Sequence, residues 1–190
     1  MVLALAAGCG GDPSQDADEP SGEFKVEIVE ASFPERQHIA DDVELRLTVR
    51  NADQETLRNV AVTVETAPGA DGDALVAFGR NERDAGLSSA SRPVWVLDEG
   101  PSGGDTAYVN TWSAGTLRAG QTRELVWRLV AVKAGEYEIS YRVSPGLTGR
   151  ARAARGDTGG SFNVMIDDEP VPARVGEDGE VERGVEAGAG

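Results

Sequence analysis

The sequence of 190 residues predicts an all-β fold, an antiparallel sandwich of roughly seven to nine short strands. Apolar residues alternate with polar ones along several short segments, and turn-forming residues separate those segments. No apolar pattern with the period of a helix lasts a dozen residues, so almost no helix is expected. Hydrophobic residues make up 39% of the chain, enough to fill the core of one domain, whereas two full domains would be cramped.

Three segments show the alternation most clearly, residues 43–50, 60–65 and 136–143. In each of them every second residue is apolar, which is typical of a strand with one buried and one wet face. Residues 121–133 are apolar on both faces around Trp127 and predict a central strand. The residues expected to point inward in the alternating segments are Val43, Leu45, Leu47, Val49, Val60, Val62, Val64, Tyr137, Ile139, Tyr141 and Val143.

Alternating strands begin at Phe24 and end at Ile166, so the folded domain is expected to span residues 24–166. Inside the domain, residues 67–92 are rich in Gly, Ala, Asp and Ser and predict a long loop with at most a short strand or helical turn. The strand candidates beyond this loop are residues 93–97 and 106–112, separated by a turn at 100–104.

The formal net charge of −15 is unevenly placed along the chain. Residues 1–23 carry −5 and residues 167–190 carry −6, which leaves −4 for the middle. Acidic, weakly hydrophobic tails usually remain solvated, so residues 10–23 are predicted to be a disordered tether and residues 167–190 a disordered tail. A chain this acidic offers nothing that attracts phosphate, which excludes nucleic acid as a partner.

The N-terminal segment, residues 1–9, has the features of an export signal. An apolar run is followed by Ala6, Ala7, Gly8 and Cys9 and then by polar sequence. This tetrapeptide resembles the bacterial lipobox, and the resemblance implies that Cys9 becomes the first mature residue and carries a lipid. The membrane would then be a partner through Cys9, and the domain would stand on the outer face of the cytoplasmic membrane or on the cell surface.

The signal is incomplete as it stands. The apolar run is short, no Lys or Arg precedes it, and Leu is commoner at the position of Ala6. A start codon assigned too late or a trimmed sequence would explain this; the alternative is a cytosolic protein whose start is Ala- and Gly-rich by chance. Cys9 is the one cysteine of the chain, so a disulfide within the chain is excluded.

Residues 43–66 and 115–143 resemble the CARDB-type and DUF11-type immunoglobulin-like domains of bacterial cell surfaces. Residues 91–122 are similar to a group of uncharacterised actinobacterial lipoproteins. The resemblance implies an immunoglobulin-like sandwich that serves as an adhesion, spacer or assembly module. Tyr137 after Gly135 is similar to a tyrosine corner, whose hydroxyl bonds nearby backbone. Ile139 stands where antibody domains place a cysteine, so no inter-sheet disulfide is implied.

The sequence shows no catalytic set, no metal-ligand spacing and no cofactor motif. The single histidine, His38, has no partner at a defined spacing. The run from Asp167 to Glu169 lacks the alternating ligands and glycine of a calcium loop, so we interpret it as a solvated acidic tail. An enzyme would require the 67–92 loop to bring carboxylates together in a cleft, and we therefore expect a non-enzymatic protein.

Two groups of residues could form binding surfaces. Trp95, Tyr108 and Trp112 would make a flat platform for a glycan if they were exposed on one face, and the alternative is packing in the core. A second group, Arg150, Arg152 and Arg155, could form a basic edge that meets anionic lipid or cell-wall polymer. The alternative is a charged edge strand that resists aggregation.

The sequence therefore favours a cell-envelope lipoprotein whose immunoglobulin-like domain contacts an envelope protein, with strand edges as the natural binding surface. The alternative function is a glycan-binding module built on the three aromatic residues. The two hypotheses differ in one structural feature, which is whether those aromatic side chains are exposed together.

Overall fold

The computed structural model describes residues 19–66, 78–80, 93–171, 173–175, 179 and 181–183. Cys9 and most of the loop predicted at 67–92 lie outside these residues, as do most positions of the two tails predicted to be disordered. The described residues form strands and turns and contain no helix. The strands, in chain order, are β1 (Gly22–Phe24), β2 (Val26–Ser32), β3 (Arg36–His38), β4 (Asp42–Asn51), β5 (Leu57–Thr66), β6 (Gly79–Arg80), β7 (Trp95–Ser102), β8 (Asp105–Tyr108), β9 (Thr111–Leu117), β10 (Thr122–Ala131), β11 (Gly135–Ser144), β12 (Ala151–Ala153), β13 (Gly159–Asp167), β14 (Ala173–Val175) and β15 (Val181–Arg183).

Two sheets form the body of the domain. One has the order β2-β4-β10-β7-β6 and the other the order β3-β13-β11-β5-β9-β8. The long strands pair antiparallel, while the short strands β3 and β6 add parallel pairs at two edges. Eight of the strands have seven or more residues, which agrees with the predicted number.

The core lies between the two sheets and contains the side chains that the alternation predicts. Leu45, Leu47 and Val49 of β4 are fully buried, and Val62 of β5 faces them from the other sheet. Burying a side chain of this size stabilises a fold by about 1.5–3 kcal/mol. Trp127 is fully buried on β10, which runs between β4 and β7 and is therefore a central strand, as expected.

The start of β11 has the predicted tyrosine corner. The hydroxyl of Tyr137 donates a hydrogen bond of 2.9 Å to the backbone oxygen of Ala134. Gly135 has a φ of 140°, and a Cβ there would lie 3.0 Å from that hydroxyl, so the corner favours glycine. Ile139 is fully buried two residues later. The domain is an all-β, immunoglobulin-like sandwich.

The region between β7 and β9 differs from its prediction in two ways. Residues 106–112 are not one strand, because β8 ends at Tyr108 and β9 begins at Thr111, with Asn110 at a φ of 60° in the turn. Asparagine tolerates this left-handed conformation, so it can close a tight turn without glycine. In addition, β7 continues to Ser102, and the turn after it falls at Gly103, whose φ is 88°.

Short paired segments flank the sandwich. Strand β1 pairs in parallel with β12, and β14 pairs antiparallel with β15 inside the acidic C-terminal segment. Strand β6 lies within the stretch predicted as a long loop. In the described part of the chain, no helix is long and apolar enough to cross a membrane.

Candidate functional site

Trp95, the first aromatic residue of the predicted platform, lies in the core. It is fully buried at the start of β7, and its ring makes edge contacts with Phe33 and Tyr137 at centroid distances of 5.5 and 5.8 Å. Its indole N–H donates a hydrogen bond of 2.8 Å to the side-chain oxygen of Gln37. No face of this ring is open to a sugar.

Trp112 is also part of the core, with 5% of its surface exposed. Its ring packs edge-on against Trp127 at 5.3 Å and contacts Phe78 at 5.6 Å. The predicted glycan platform is therefore wrong. The turn at Asn110 places Tyr108 and Trp112 on different strands, so the alternation of side chains along one strand does not put them on the same face. Trp112 packs in the core because burial of its large apolar ring is favourable.

Tyr108 remains exposed, together with its neighbour in the turn. The exposed fractions are 52% for Tyr108 and 77% for Val109, the largest values among the exposed large hydrophobic residues that the structure describes. Both lie at the end of β8, the last strand of the six-stranded sheet. Strand β8 pairs with β9 on one side, and within the described residues its other side has no strand partner. An open strand edge beside exposed apolar side chains is a surface that suits another polypeptide.

The outer face of the five-stranded sheet carries a ladder of ion pairs. Arg128 lies 3.0 Å from Glu99 and 3.4 Å from Glu44, and Arg46 contacts Glu44 and lies 3.4 Å from Glu124. The hydrogen bond from Arg46 is the main cause that lowers the pKa of Glu44. The groove between these side chains has a volume of 280 Å³. Each of these charged side chains already has a partner of opposite charge, so this face offers few unpaired charges to an outside ligand.

A larger groove of 470 Å³ runs where β3, β13 and β11 lie side by side. The residues that line it include Glu35, Glu136 and Glu138, together with Arg36 and Met165. The groove is shallow and acidic on balance. It contains no nucleophile paired with a base, which acyl or phosphoryl chemistry would require.

The three arginines of the predicted basic edge are exposed. Arg152 lies in β12, Arg150 immediately before it and Arg155 two residues after it. The parallel register places Glu23 of β1 opposite Arg152, and Arg150 donates a hydrogen bond of 3.4 Å to the hydroxyl of Thr148. An acidic residue is thus interleaved with the arginines. A contact with anionic lipid or cell-wall polymer stays a prediction.

His38 has carboxylate partners that the sequence did not indicate. Its Nδ1 lies 3.3 Å from a carboxylate oxygen of Asp41, and its Nε2 lies 3.8 Å from one of Asp167. The chain folds Asp167 next to His38 because β13 pairs in parallel with β3. Within the described ranges, no group of three or more His, Cys, Asp or Glu side chains is arranged to hold a metal ion.

Glu19 is the polar group that sequence reasoning missed most clearly. Counted among the acids of a solvated tether, it is only 5% exposed. Its carboxylate accepts hydrogen bonds from the backbone N–H groups of Leu147, Thr148 and Ala151. Burial alone would raise the pKa of Glu19, but these hydrogen bonds, the one from Ala151 first, hold the pKa below its ordinary value. The only signal in the sequence was the pair Gly146 and Gly149, which predicts a turn but not its occupant.

No family model matches the chain, and no curated protein is similar enough to match. The chain is similar to the CARDB domain of the PF1109 protein from Pyrococcus furiosus, described in complex with di-metal ions, at 14% identity over 78% of this chain and 99% of that chain, with a TM-score of 0.48. It is similar to alpha-2-macroglobulin from Escherichia coli at 15% identity over 80% of this chain and 18% of that chain, with a TM-score of 0.44. PapD-like domain 7 of human CEP192 shares 12% identity over 90% of this chain and 99% of that chain, with a TM-score of 0.40. No ligand, metal or partner passes from these structures to this chain.

Proposed function

We propose that this protein is a cell-envelope lipoprotein, held at the outer face of the cytoplasmic membrane or at the cell surface by lipid on Cys9. Its immunoglobulin-like sandwich makes protein contacts and catalyses no reaction. The observation that carries the anchor is the position of Cys9, the single cysteine of the chain, directly after Ala6, Ala7 and Gly8. Two or more acyl chains on one cysteine hold a protein stably on a membrane.

The anchor is tested by fractionating cells that express the chain with its native upstream coding sequence, as wild type and as Cys9→Ala. We expect the wild type to sediment with membranes and to be digested when protease is added to spheroplasts. The Cys9→Ala variant should leave the membrane fraction. A wild type that stays in the cytosol, protected from protease until the cells are lysed, would contradict the proposal.

The surface we assign to protein contacts is the open edge of β8 with Tyr108 and Val109 at its end. A partner whose chain is extended can add a strand to such an edge, because its backbone then bonds N–H and C=O groups on the side of β8 that has no strand partner among the described residues. The side chains that such a strand presents next to Tyr108 would be apolar. The exposed apolar area at this tip is the feature that supports this edge over the charged faces.

The edge is tested with a photo-crosslinking amino acid placed at position 108 or 109 in the envelope. The matched control is the same crosslinker at Val29, which is 47% exposed on β2 of the other sheet. We expect a discrete crosslinked species from 108 and 109, absent from the control and lost when Val109→Asp is combined with the crosslinker at 108. Identical patterns at all three positions would show that β8 is not the contact surface.

A further inference from the structure

The loop that follows β11 encloses the carboxylate of Glu19. One carboxylate oxygen accepts hydrogen bonds of 2.8 Å from the backbone N–H groups of both Leu147 and Thr148, and the other accepts one of 3.0 Å from Ala151. Both oxygens are therefore bound by backbone donors across more than a hundred residues of sequence. Hydrogen bonds to a charged acceptor are stronger than neutral ones, so this contact is among the firmer ones at this end of the sandwich.

The shape of the loop fits this carboxylate. A Cβ at Gly146 would lie 2.4 Å from the carboxyl carbon of Glu19, so any side chain at this position would displace the group. Gly149 has a φ of 80°, a conformation that most residues avoid, and it turns the loop between the donors at Thr148 and Ala151. Successive backbone N–H groups that converge in this way form a concave site for anions.

We propose that the loop from 145 to 151 is a carboxylate-binding site that the chain fills with its own Glu19. The ligand class is a carboxylate, because the donors divide between two oxygens in a way that suits a flat, two-oxygen group. The bound side chain latches the segment before β1 onto the loop next to β12. This inference is independent of the lipid on Cys9 and of the contact surface on β8.

The latch limits where the segment that leads to Cys9 can go. Glu19 is ten residues after Cys9, and a chain of that length spans at most about 36 Å in any conformation. The Cα atom of Cys9 therefore lies within that distance of the Cα atom of Glu19.

The site is tested by emptying it and offering a free carboxylate. Glu19→Ala should lower the Tm by roughly 4–8 °C, because three backbone donors, among them the buried N–H of Ala151, lose their acceptor. Acetate should raise the Tm of Glu19→Ala above its value in chloride at equal ionic strength, and the amide signals of Leu147, Thr148 and Ala151 should shift with acetate. Glu23→Ala, which removes an exposed acid four residues later, is the matched control. In this variant acetate should change neither the Tm nor the three amide signals.

Two further variants keep the test decisive. Glu19→Gln retains the shape of the side chain and should shift the same three amide signals even if Glu19→Ala does not fold. Gly146→Ala fills the site with a methyl group, so adding it to Glu19→Ala should abolish the response to acetate. The proposal would be overturned if the amide signals of Glu19→Ala were the same in acetate as in chloride. It would also be overturned if acetate shifted these signals equally in Glu19→Ala and in the double variant with Gly146→Ala.

Discussion

The indole N–H of Trp95 donates a hydrogen bond of 2.8 Å to the side-chain oxygen of Gln37, and this bond joins the two sheets inside the core. Trp95 belongs to β7 of the five-stranded sheet and Gln37 to β3 of the six-stranded sheet. The amide nitrogen of Gln37 donates in turn to the backbone oxygen of Pro34 at 2.9 Å. A glutamine with no exposed surface is thus satisfied at both ends of its amide.

Gln37→Leu should lower the free energy of unfolding by about 1–3 kcal/mol, because the substitution leaves the buried indole N–H of Trp95 without an acceptor and removes the hydrogen bond to the backbone oxygen of Pro34. Urea denaturation followed by tryptophan fluorescence measures the change. Gln54→Leu, which alters an exposed glutamine, is the control and should stay within about 0.5 kcal/mol of wild type. Equal effects of the two substitutions would mean that the cross-sheet bond adds nothing.

Tyr137→Phe removes the hydroxyl that bonds Ala134 and keeps the ring in the core. The free energy of unfolding should fall by about 0.5–1.5 kcal/mol, the usual contribution of one such bond. Tyr108→Phe deletes the same atom from an exposed ring and should leave thermal unfolding unchanged. The tyrosine corner would lack a stabilising role if the two variants melted at the same temperature.

Asn51, the last residue of β4, is fully buried and makes three side-chain hydrogen bonds. Its amide nitrogen donates to the backbone oxygens of Glu55 and Leu117, and its oxygen accepts from the N–H of Asp53. Asn51→Asp keeps the size but replaces two donations with repulsion between oxygens. We expect a loss of at least about 2 kcal/mol in unfolding free energy at pH 7, measured by urea denaturation. A stability within error of wild type would contradict this reading of the turn.

Glu19 should make the stability of the domain depend on pH. Its pKa is lower in the folded chain than its ordinary value, so its contribution is fully present at neutral pH and is lost as pH falls through the folded-state pKa. The difference in unfolding free energy between wild type and Glu19→Gln should therefore shrink as the pH is lowered below 4.5, the ordinary pKa of a glutamate. The difference between wild type and Glu23→Gln should stay small throughout. A wild-type advantage that grew on acidification would have the wrong sign.

The sequence predicted the strands whose alternation is long and regular. Ten residues of β4 alternate without a break, and a slip of one residue would turn Leu45 and Leu47 to water, so the pattern leaves one register. The tyrosine corner was predictable for a related reason, since Gly135 and Tyr137 form a short motif with its own geometry. Local patterns of this kind carry their own evidence for structure.

The aromatic residues show where local pattern stops being informative. Trp95 is the first residue of β7 and Trp112 the second of β9, so the face that each occupies depends on the turn that precedes its strand, and Val109 in the turn is apolar like a strand residue. Asn110 adopts the left-handed conformation of the turn, but asparagine only tolerates this conformation, so its presence in the sequence does not predict a turn there. The exposure of the two tryptophans was thus fixed by tertiary packing.

Glu19 and Gln37 were missed for a different reason. Their partners Ala151 and Trp95 are far away in sequence, and Gln37 itself lies on a strand of three residues, too short to show any alternation. A buried polar side chain is stable only where the fold supplies its hydrogen bonds, and the sequence does not state which loop will come near. Such groups become visible when the backbone is known.

The measurement that tests the account most directly is intact mass spectrometry of the mature protein, purified from membranes of cells fed an alkyne fatty acid. We expect a chain that begins at Cys9, with acyl mass and alkyne label on that residue, and an unlabelled, soluble Cys9→Ala variant. A wild type that carries no acyl group, or whose N-terminus lies upstream of Cys9 in the mature protein, would contradict the lipid anchor.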